Sequence, residues 1–132
     1  MSNGYSKKVM ELFQHPKNMG EMKNPDGIGK IGNPVCGDVM WLYIKIGRNK
    51  SGEEIIKDIR VKTFGCVAAI ATSSAITELA KGKTIKEAES ITNKNIVDVV
   101  EGLPPQKVHC SVLAAQALRR AIDDYRKRKA KG

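Results

Sequence analysis

Residues 38–64, which decide the fold, read DVMWLYIKIGRNKSGEEIIKDIRVKTF. From Asp38 to Ile46 successive side chains alternate between two faces, and β-branched or aromatic residues occupy both, which predicts a strand. Glu54 to Phe64 is a second run of the same kind. The polar segment 47–52 between them has the composition of a turn. We therefore predict an antiparallel hairpin.

Helical patterns lie on both sides of this hairpin. The small residues after Cys66 predict a closely packed helix that ends at Gly82, and Thr84 with Glu87 forms a capping-box pattern. The predicted helices cover residues 5–14, 67–81, 84–90, 95–101 and 111–128. Residues 17–33, rich in Gly, Asn and Pro, are predicted to be loop or weak edge strand. The order predicts an α+β fold in which a small antiparallel sheet packs against helices.

Size and composition indicate a single domain over residues 1–132, with a basic tail from about residue 126. The chain has 132 residues, of which 41% are hydrophobic and 5% aromatic, so we expect an aliphatic core. No apolar stretch approaches the length of a membrane-spanning helix, and no secretory h-region is visible near Met1. We therefore expect a cytoplasmic protein, and an odd count of three cysteines argues against a disulfide framework.

The formal net charge of +9 raises the question of a nucleic-acid partner. The sequence shows no basic patch interleaved with stacking aromatic residues, so nucleic-acid binding is not the predicted role. A basic surface equally attracts an acidic protein. The glycines of segment 27–32 match a dinucleotide-binding pattern, but that motif requires a preceding strand and a following helix, and neither is predicted here.

The three cysteines are far apart in sequence, and each lies at the junction of two predicted elements. Cys36 precedes the first strand of the hairpin, Cys66 follows the second, and Cys110 opens the last helix. Asp38 and His109 add an oxygen and a nitrogen donor. Three thiolates with one of these donors suffice for a tetrahedral metal or an iron–sulfur cluster.

The hairpin should bring Cys36 and Cys66 together, because the start of one strand lies beside the end of the other. Cys66 and Cys110 are both predicted at helix N-termini, where the helix dipole favours a thiolate. Lys107 adds positive charge near Cys110. Taken singly, each cysteine could be a small buried hydrophobe. Their shared position at element ends, beside Asp38 and His109, favours a common site.

At these residues the chain resembles the iron–sulfur cluster assembly scaffold family of IscU and the N-terminal domain of NifU. The likeness runs from about Tyr5 to Tyr125 and rests on segments 5–9, 32–38, 64–69 and 103–110. It implies a platform rather than an enzyme, carrying a [2Fe–2S] cluster, with [4Fe–4S] as the alternative, built from iron. It also implies a three-stranded sheet, with segment 28–35 supplying the extra strand.

The resemblance also implies the residues that hold the cluster. Its ligands would be Cys36, Cys66 and Cys110, with Asp38 or His109 as the fourth donor. Asp38 is expected to keep the cluster labile, because a carboxylate oxygen is a poorer partner for iron here than a thiolate. Zinc could occupy the same donors in the empty site.

Several partners follow from the same resemblance. A cysteine desulfurase would deliver sulfur to Cys110 as a persulfide, assisted by Lys107, and apo iron–sulfur proteins would receive the cluster, with a homodimer as one arrangement. The family's usual Leu-Pro-Pro-Val-Lys stretch reads Leu-Pro-Pro-Gln-Lys here. Gln106 puts an Hsp70-type chaperone partner in doubt, because such chaperones bind apolar extended peptide.

Two other readings use the same residues. A zinc-dependent sulfurtransferase of the SufU type would bind zinc through Cys36, Asp38, Cys66 and Cys110. That group usually has an insertion between the second and third cysteines and lacks the histidine, whereas this chain has no evident insertion and has His109, which favours the scaffold. The second reading is a basic binding module with a purely structural metal, which would be retained rather than released.

Overall fold

The computed structural model describes residues 4–33 and 38–131, with the side chains of Asn33 and Asp38 outside that description. Cys36 therefore lies outside the described residues. The elements are, in chain order, α1 (Lys7–Gln14), β1 (Gly27–Asn33), β2 (Asp38–Arg48), β3 (Glu54–Phe64), α2 (Val67–Ala80), α3 (Ile85–Glu89), α4 (Asn93–Val99), a 3-10 turn (Pro105–Lys107) and α5 (Val108–Lys131).

The three strands form one antiparallel sheet in the order β1-β2-β3. Val39 pairs with Phe64 and Arg48 with Glu54, with one register irregularity between Lys45 and Ile46. This is the predicted hairpin, and β1 adds to its other side, with Asn33 paired to Asp38. The predicted fold class, a small antiparallel sheet packed against helices, is confirmed.

Strand β1 occupies the end of the segment predicted as loop or weak edge strand, where the resemblance implied an extra strand. Its face towards α5 carries glycines. A Cβ atom on Gly29 would lie 2.0 Å from the carbonyl oxygen of Ala117, and one on Gly27 would lie 2.3 Å from that of Ala121. Because glycines replace most apolar residues on the buried face of β1, the alternation that identifies a strand is absent from the sequence.

Helices α2 and α5 cover one face of the sheet and enclose the core. Leu42, Ile44 and Val61 from the sheet are fully buried, as are Ile76 of α2 and Leu118 of α5. No helix within residues 4–33 and 38–131 is both long and apolar enough to cross a bilayer.

The predicted boundaries of three helices were wrong, and the first of these, α1, begins at Lys7 instead of Tyr5 because Ser6 is its N-cap. Helix α4 spans Asn93–Val99 instead of 95–101, because Thr92 is its N-cap and accepts a hydrogen bond from the backbone N–H of Asn95. Helix α5 begins at Val108 instead of Ser111. The 3-10 turn started by Pro105 continues directly into it, so the backbone is already helical before Ser111.

Candidate functional site

The end of β3 and the start of α2 position Cys66. Strand β3 ends at Phe64, and Cys66 is the N-cap of α2, with an extended backbone at φ −79° and ψ 179°. Its side chain is half-buried. An N-cap residue lies beside backbone N–H groups that have no partner within the helix, although the Cys66 side chain makes no capping hydrogen bond to them.

The start of α5 positions Cys110. It is the third residue of the helix and is fully buried. Ala68 and Ala69 of α2 form a small cluster with it, and Tyr5 and Leu103 pack against that cluster. The alanines allow the starts of α2 and α5 to approach closely, which brings the two sulfurs together.

The sulfur atoms of Cys66 and Cys110 are 4.0 Å apart. Two thiolates on one tetrahedral metal, each about 2.3 Å from it, lie about 3.8 Å from each other. The observed separation is close to that value. Cys66 and Cys110 are therefore placed to ligate a single iron or zinc ion.

His109 brings a nitrogen to the same place. Its Nε2 atom lies 3.6 Å from the sulfur of Cys110. The predicted donors Cys66, Cys110 and His109 are thus neighbours, although within residues 4–33 and 38–131 no group of three His, Cys, Asp or Glu residues has the arrangement of a complete metal site.

Lys107 supplies positive charge beside the two sulfurs. The charge of Cys66 is the largest cause that raises the pKa of Lys107 above its usual value, followed by those of Tyr5 and Cys110. The Lys107 ammonium group therefore lies close enough to both sulfur atoms to interact with them electrostatically. Sulfide and thiolate carry negative charge, which this lysine would offset.

The remaining predicted donors lie at the start of β2. Because Val39 pairs with Phe64, the backbone of Asp38 lies at the end of the sheet from which the chain proceeds to Cys66. The side chain of Asp38 and the whole of Cys36 fall outside the described residues, so their roles as ligands stay predictions.

Sequence reasoning from composition and spacing missed two contributors to the site. Tyr5, just before α1, packs against the cysteine cluster from a distant part of the chain. Thr72 of α2 is fully buried, and its hydroxyl lies 2.8 Å from the carbonyl oxygen of Ala68 and 3.4 Å from that of Cys110. Composition and spacing did not reveal these contributions, because the contacts of Tyr5 with the cluster and of Thr72 with Cys110 join different elements.

Comparison with known proteins gives consistent results. The sequence model of a family described as "NifU-like N terminal domain" matches residues 4–132. The iron–sulfur cluster assembly scaffold protein IscU 1 of Archaeoglobus fulgidus is 57% identical over 121 residues, covering 92% of this chain and 76% of that protein. The Escherichia coli K12 scaffold protein IscU is 49% identical over 131 residues, covering 96% and 98%. These relatives are named as scaffolds, not enzymes.

Solved structures show the same fold at low sequence identity. A Fervidobacterium islandicum protein described as a cluster assembly scaffold of the SUF system superposes with a TM-score of 0.72 at 22% identity, covering 89% of this chain and 96% of that one. A NifU-like N-terminal domain from Brucella abortus gives a TM-score of 0.66 at 15% identity, covering 96% and 95%.

Proposed function

This chain belongs to the NifU-like N-terminal domain family, and we propose from that premise that it is a scaffold on which an iron–sulfur cluster is assembled and then passed to apo-proteins. The observation that carries the proposal is the separation of 4.0 Å between the sulfurs of Cys66 and Cys110. With relatives named as scaffolds, that geometry favours a site that ligates iron over a pair of unrelated buried thiols.

The ligands we propose are Cys36, Cys66 and Cys110, with Asp38 or His109 as the fourth donor. The cluster would be [2Fe–2S], with [4Fe–4S] as the alternative. A carboxylate or imidazole among thiolates binds iron less tightly than a fourth thiolate, which suits a cluster that must leave. Zinc would fit the same donors when no cluster is present.

The sulfur would come from a cysteine desulfurase that carries a persulfide. The thiolate of Cys110 would attack the outer sulfur of that persulfide, the donor's S–S bond would break, and the donor's cysteine would leave as a thiolate. Lys107 would stabilise the anionic sulfurs during this exchange. Because Cys110 is fully buried, in a cluster against which Tyr5 and Leu103 pack, the structure around it must open before the donor can reach it.

The reconstitution of the metal-free protein tests this function. Anaerobic incubation with ferrous iron, cysteine and a cysteine desulfurase should give matched iron and acid-labile sulfide with charge-transfer bands in the visible spectrum. Cys66→Ser and Cys110→Ser should each abolish a stable cluster. The chain offers a matched pair of histidine variants: His109→Ala should change the spectrum or lifetime of the cluster, whereas His15→Ala, exposed and adjacent to α1, should not.

The same assay separates the scaffold from its competitor. One tightly held zinc, no cluster and faster turnover of the desulfurase would instead indicate a sulfurtransferase. The nitrogen of His109 beside Cys110, at 3.6 Å, favours the scaffold, since the zinc-dependent reading has no role for that histidine.

A further inference from the structure

The face of the sheet opposite α2 and α5 carries aromatic and basic side chains at the end nearest Cys66. The register places Lys30, Trp41 and Lys62 side by side across β1, β2 and β3. The ring of Phe64 meets that of Trp41 edge-on, with centroids 5.9 Å apart and planes at 88°, and Phe64 is 58% exposed. We call these four residues the aromatic–lysine patch.

The chain itself crosses another part of this face. Residues 18–20 hydrogen-bond to Val61 along the outer edge of β3, and Asp26 hydrogen-bonds to Ile44 of β2. Between them, the carbonyl oxygen of Asn24 accepts a hydrogen bond of 3.1 Å from Lys45. This crossing leaves Phe64 and Lys30 exposed at the end of the sheet that adjoins the cysteines.

The geometry of the patch favours carboxylates over nucleobases. The ammonium groups of Lys30 and Lys62 lie over the Trp41 ring, 5.2 and 5.7 Å from its centroid. A nucleobase would bind by stacking on the face of an aromatic ring. Here ammonium groups lie over the face of Trp41, so that face is not open for stacking. The edge-on arrangement of Trp41 and Phe64 also does not present two parallel stacking platforms.

The positive charge of the patch favours an acidic partner. Lys62 is paired with Glu21 at 2.9 Å, whereas Lys30 forms no ion pair within residues 4–33 and 38–131. An exposed phenylalanine beside a half-buried tryptophan and a lysine with no ion pair among the described residues, on a chain of net charge +9, is complementary to an apolar side chain surrounded by carboxylates.

We propose that the aromatic–lysine patch docks an acidic protein that receives the cluster. Its carboxylates would pair with Lys30 and, in exchange for Glu21, with Lys62, and an apolar side chain would pack against the exposed ring of Phe64. The inference rests on the proposed function, because Phe64 is two residues from Cys66 and a protein seated here lies beside the cluster ligands. Docking at this face would hold the acceptor where the cluster leaves.

Trp41, the only tryptophan in the chain, is a reporter located within the patch. The probe is an acidic plant-type ferredoxin without tryptophan, added in its apo form to the metal-free protein. Titration should give a saturable change in Trp41 fluorescence, and the affinity should fall as salt is raised. Lys30→Glu should weaken binding about fivefold or more, because it replaces an attraction by a repulsion.

Lys50→Glu is the matched control. It makes the same charge change on an exposed residue of the β2–β3 turn, at the opposite end of the hairpin from Cys66, and should alter the affinity by less than about twofold. The absence of a saturable signal, or equal weakening by both variants, would overturn the proposal. Binding of single-stranded oligothymidine would also overturn the proposal, if Lys30→Glu weakened that binding and the ferredoxin did not bind.

The docking measurement is independent of cluster assembly, because it uses metal-free protein. If reconstitution fails while ferredoxin binds at the patch, the scaffold function is rejected and the docking surface stands. If reconstitution succeeds in Lys30→Glu at the wild-type iron and sulfide content but ferredoxin binding is unchanged, the scaffold stands and the docking surface is rejected.

Discussion

Cys66 and Cys110 are close in space but differ in access to solvent. Cys66 is half-buried at the junction of β3 and α2, whereas Cys110 is fully buried in the first turn of α5. Alkylation requires a thiolate that the reagent can reach, so a buried thiol reacts only when the surrounding structure opens. The structure therefore assigns different reactivities to the two cysteines.

We expect iodoacetamide to modify Cys66 before Cys110. In a Cys36→Ser background, peptide mass spectrometry at short times should find Cys110 alkylated at least about tenfold more slowly, because the opening that exposes it is unfavourable. The same protein in denaturant is the control and should show similar rates. Equal rates in the native protein would show that the packing of Tyr5 and Leu103 over Cys110 does not persist in solution.

Among the elements, β1 and α5 depend on each other through glycine. A Cβ on Gly29 would meet the backbone of Ala117 and Ala121, at 2.0 Å from a carbonyl oxygen and 2.7 Å from a nitrogen. Backbone atoms of a helix cannot rotate away as a side chain can. Two of the three glycines that resembled a dinucleotide motif, Gly27 and Gly29, therefore serve helix packing.

Gly29→Ala should lower the free energy of unfolding by about 3 kcal/mol, because α5 must shift away from the sheet. The matched variant is Gly47→Ala in β2, whose added Cβ would meet only the flexible Lys57 side chain, at 3.1 Å. That change should cost less than about 1 kcal/mol. Urea unfolding of both variants measures the difference, and equal midpoints would show that β1 and α5 are not in close contact.

At the scale of the whole molecule, α5 connects the cysteine site to the far end of the hairpin. Its first turn holds Cys110, and near its other end Tyr125 donates a hydrogen bond to Glu54 at the start of β3. Lys129 contacts the same carboxylate at 3.1 Å. The hydrogen bond from Tyr125 is the largest cause that lowers the pKa of Glu54, and burial followed by this bond raises that of Tyr125 to about 12.

Tyr125→Phe should therefore weaken the acid dependence of stability. Since the pKa of Glu54 is lower in the folded state, its contribution is fully present above the usual value of 4.5 and is lost as the pH falls through the lowered pKa. At pH 7 the variant should lose about 1 kcal/mol of stability, and less in acid. Urea unfolding between pH 7 and pH 3 measures this difference.

Tyr43→Phe is the control for that experiment, because the Tyr43 hydroxyl has no hydrogen bond within the described ranges 4–33 and 38–131. It should change stability little over the same pH range. The pKa of Tyr125 is raised, so its own contribution is present below the usual value of 10.0 and is lost above about 12. A loss at pH 7 that persisted unchanged at pH 3 would contradict the role given to Glu54.

The hairpin, the helices and the surroundings of Cys66 and Cys110 along the chain follow from the local sequence. These features are local: alternation along β2 and β3, caps such as Thr84, and a cysteine at the end of an element are all visible within a few residues. The family resemblance also lies in short motifs. For these reasons, the fold class and the elements that carry Cys66, His109 and Cys110 could be predicted.

Only the tertiary structure decided how closely the elements approach one another. Strand β1 can pack against α5 because Gly27 and Gly29 leave room for the backbone of that helix. A glycine has no side chain, so it adds nothing to the hydrophobic pattern by which a strand is predicted. The alanines at the start of α2 allow the spacing of 4.0 Å between Cys66 and Cys110, and Tyr5 packs from a distant part of the chain against the cluster that contains Cys110. Distances between segments remote in sequence are set by packing, and packing has no local signature.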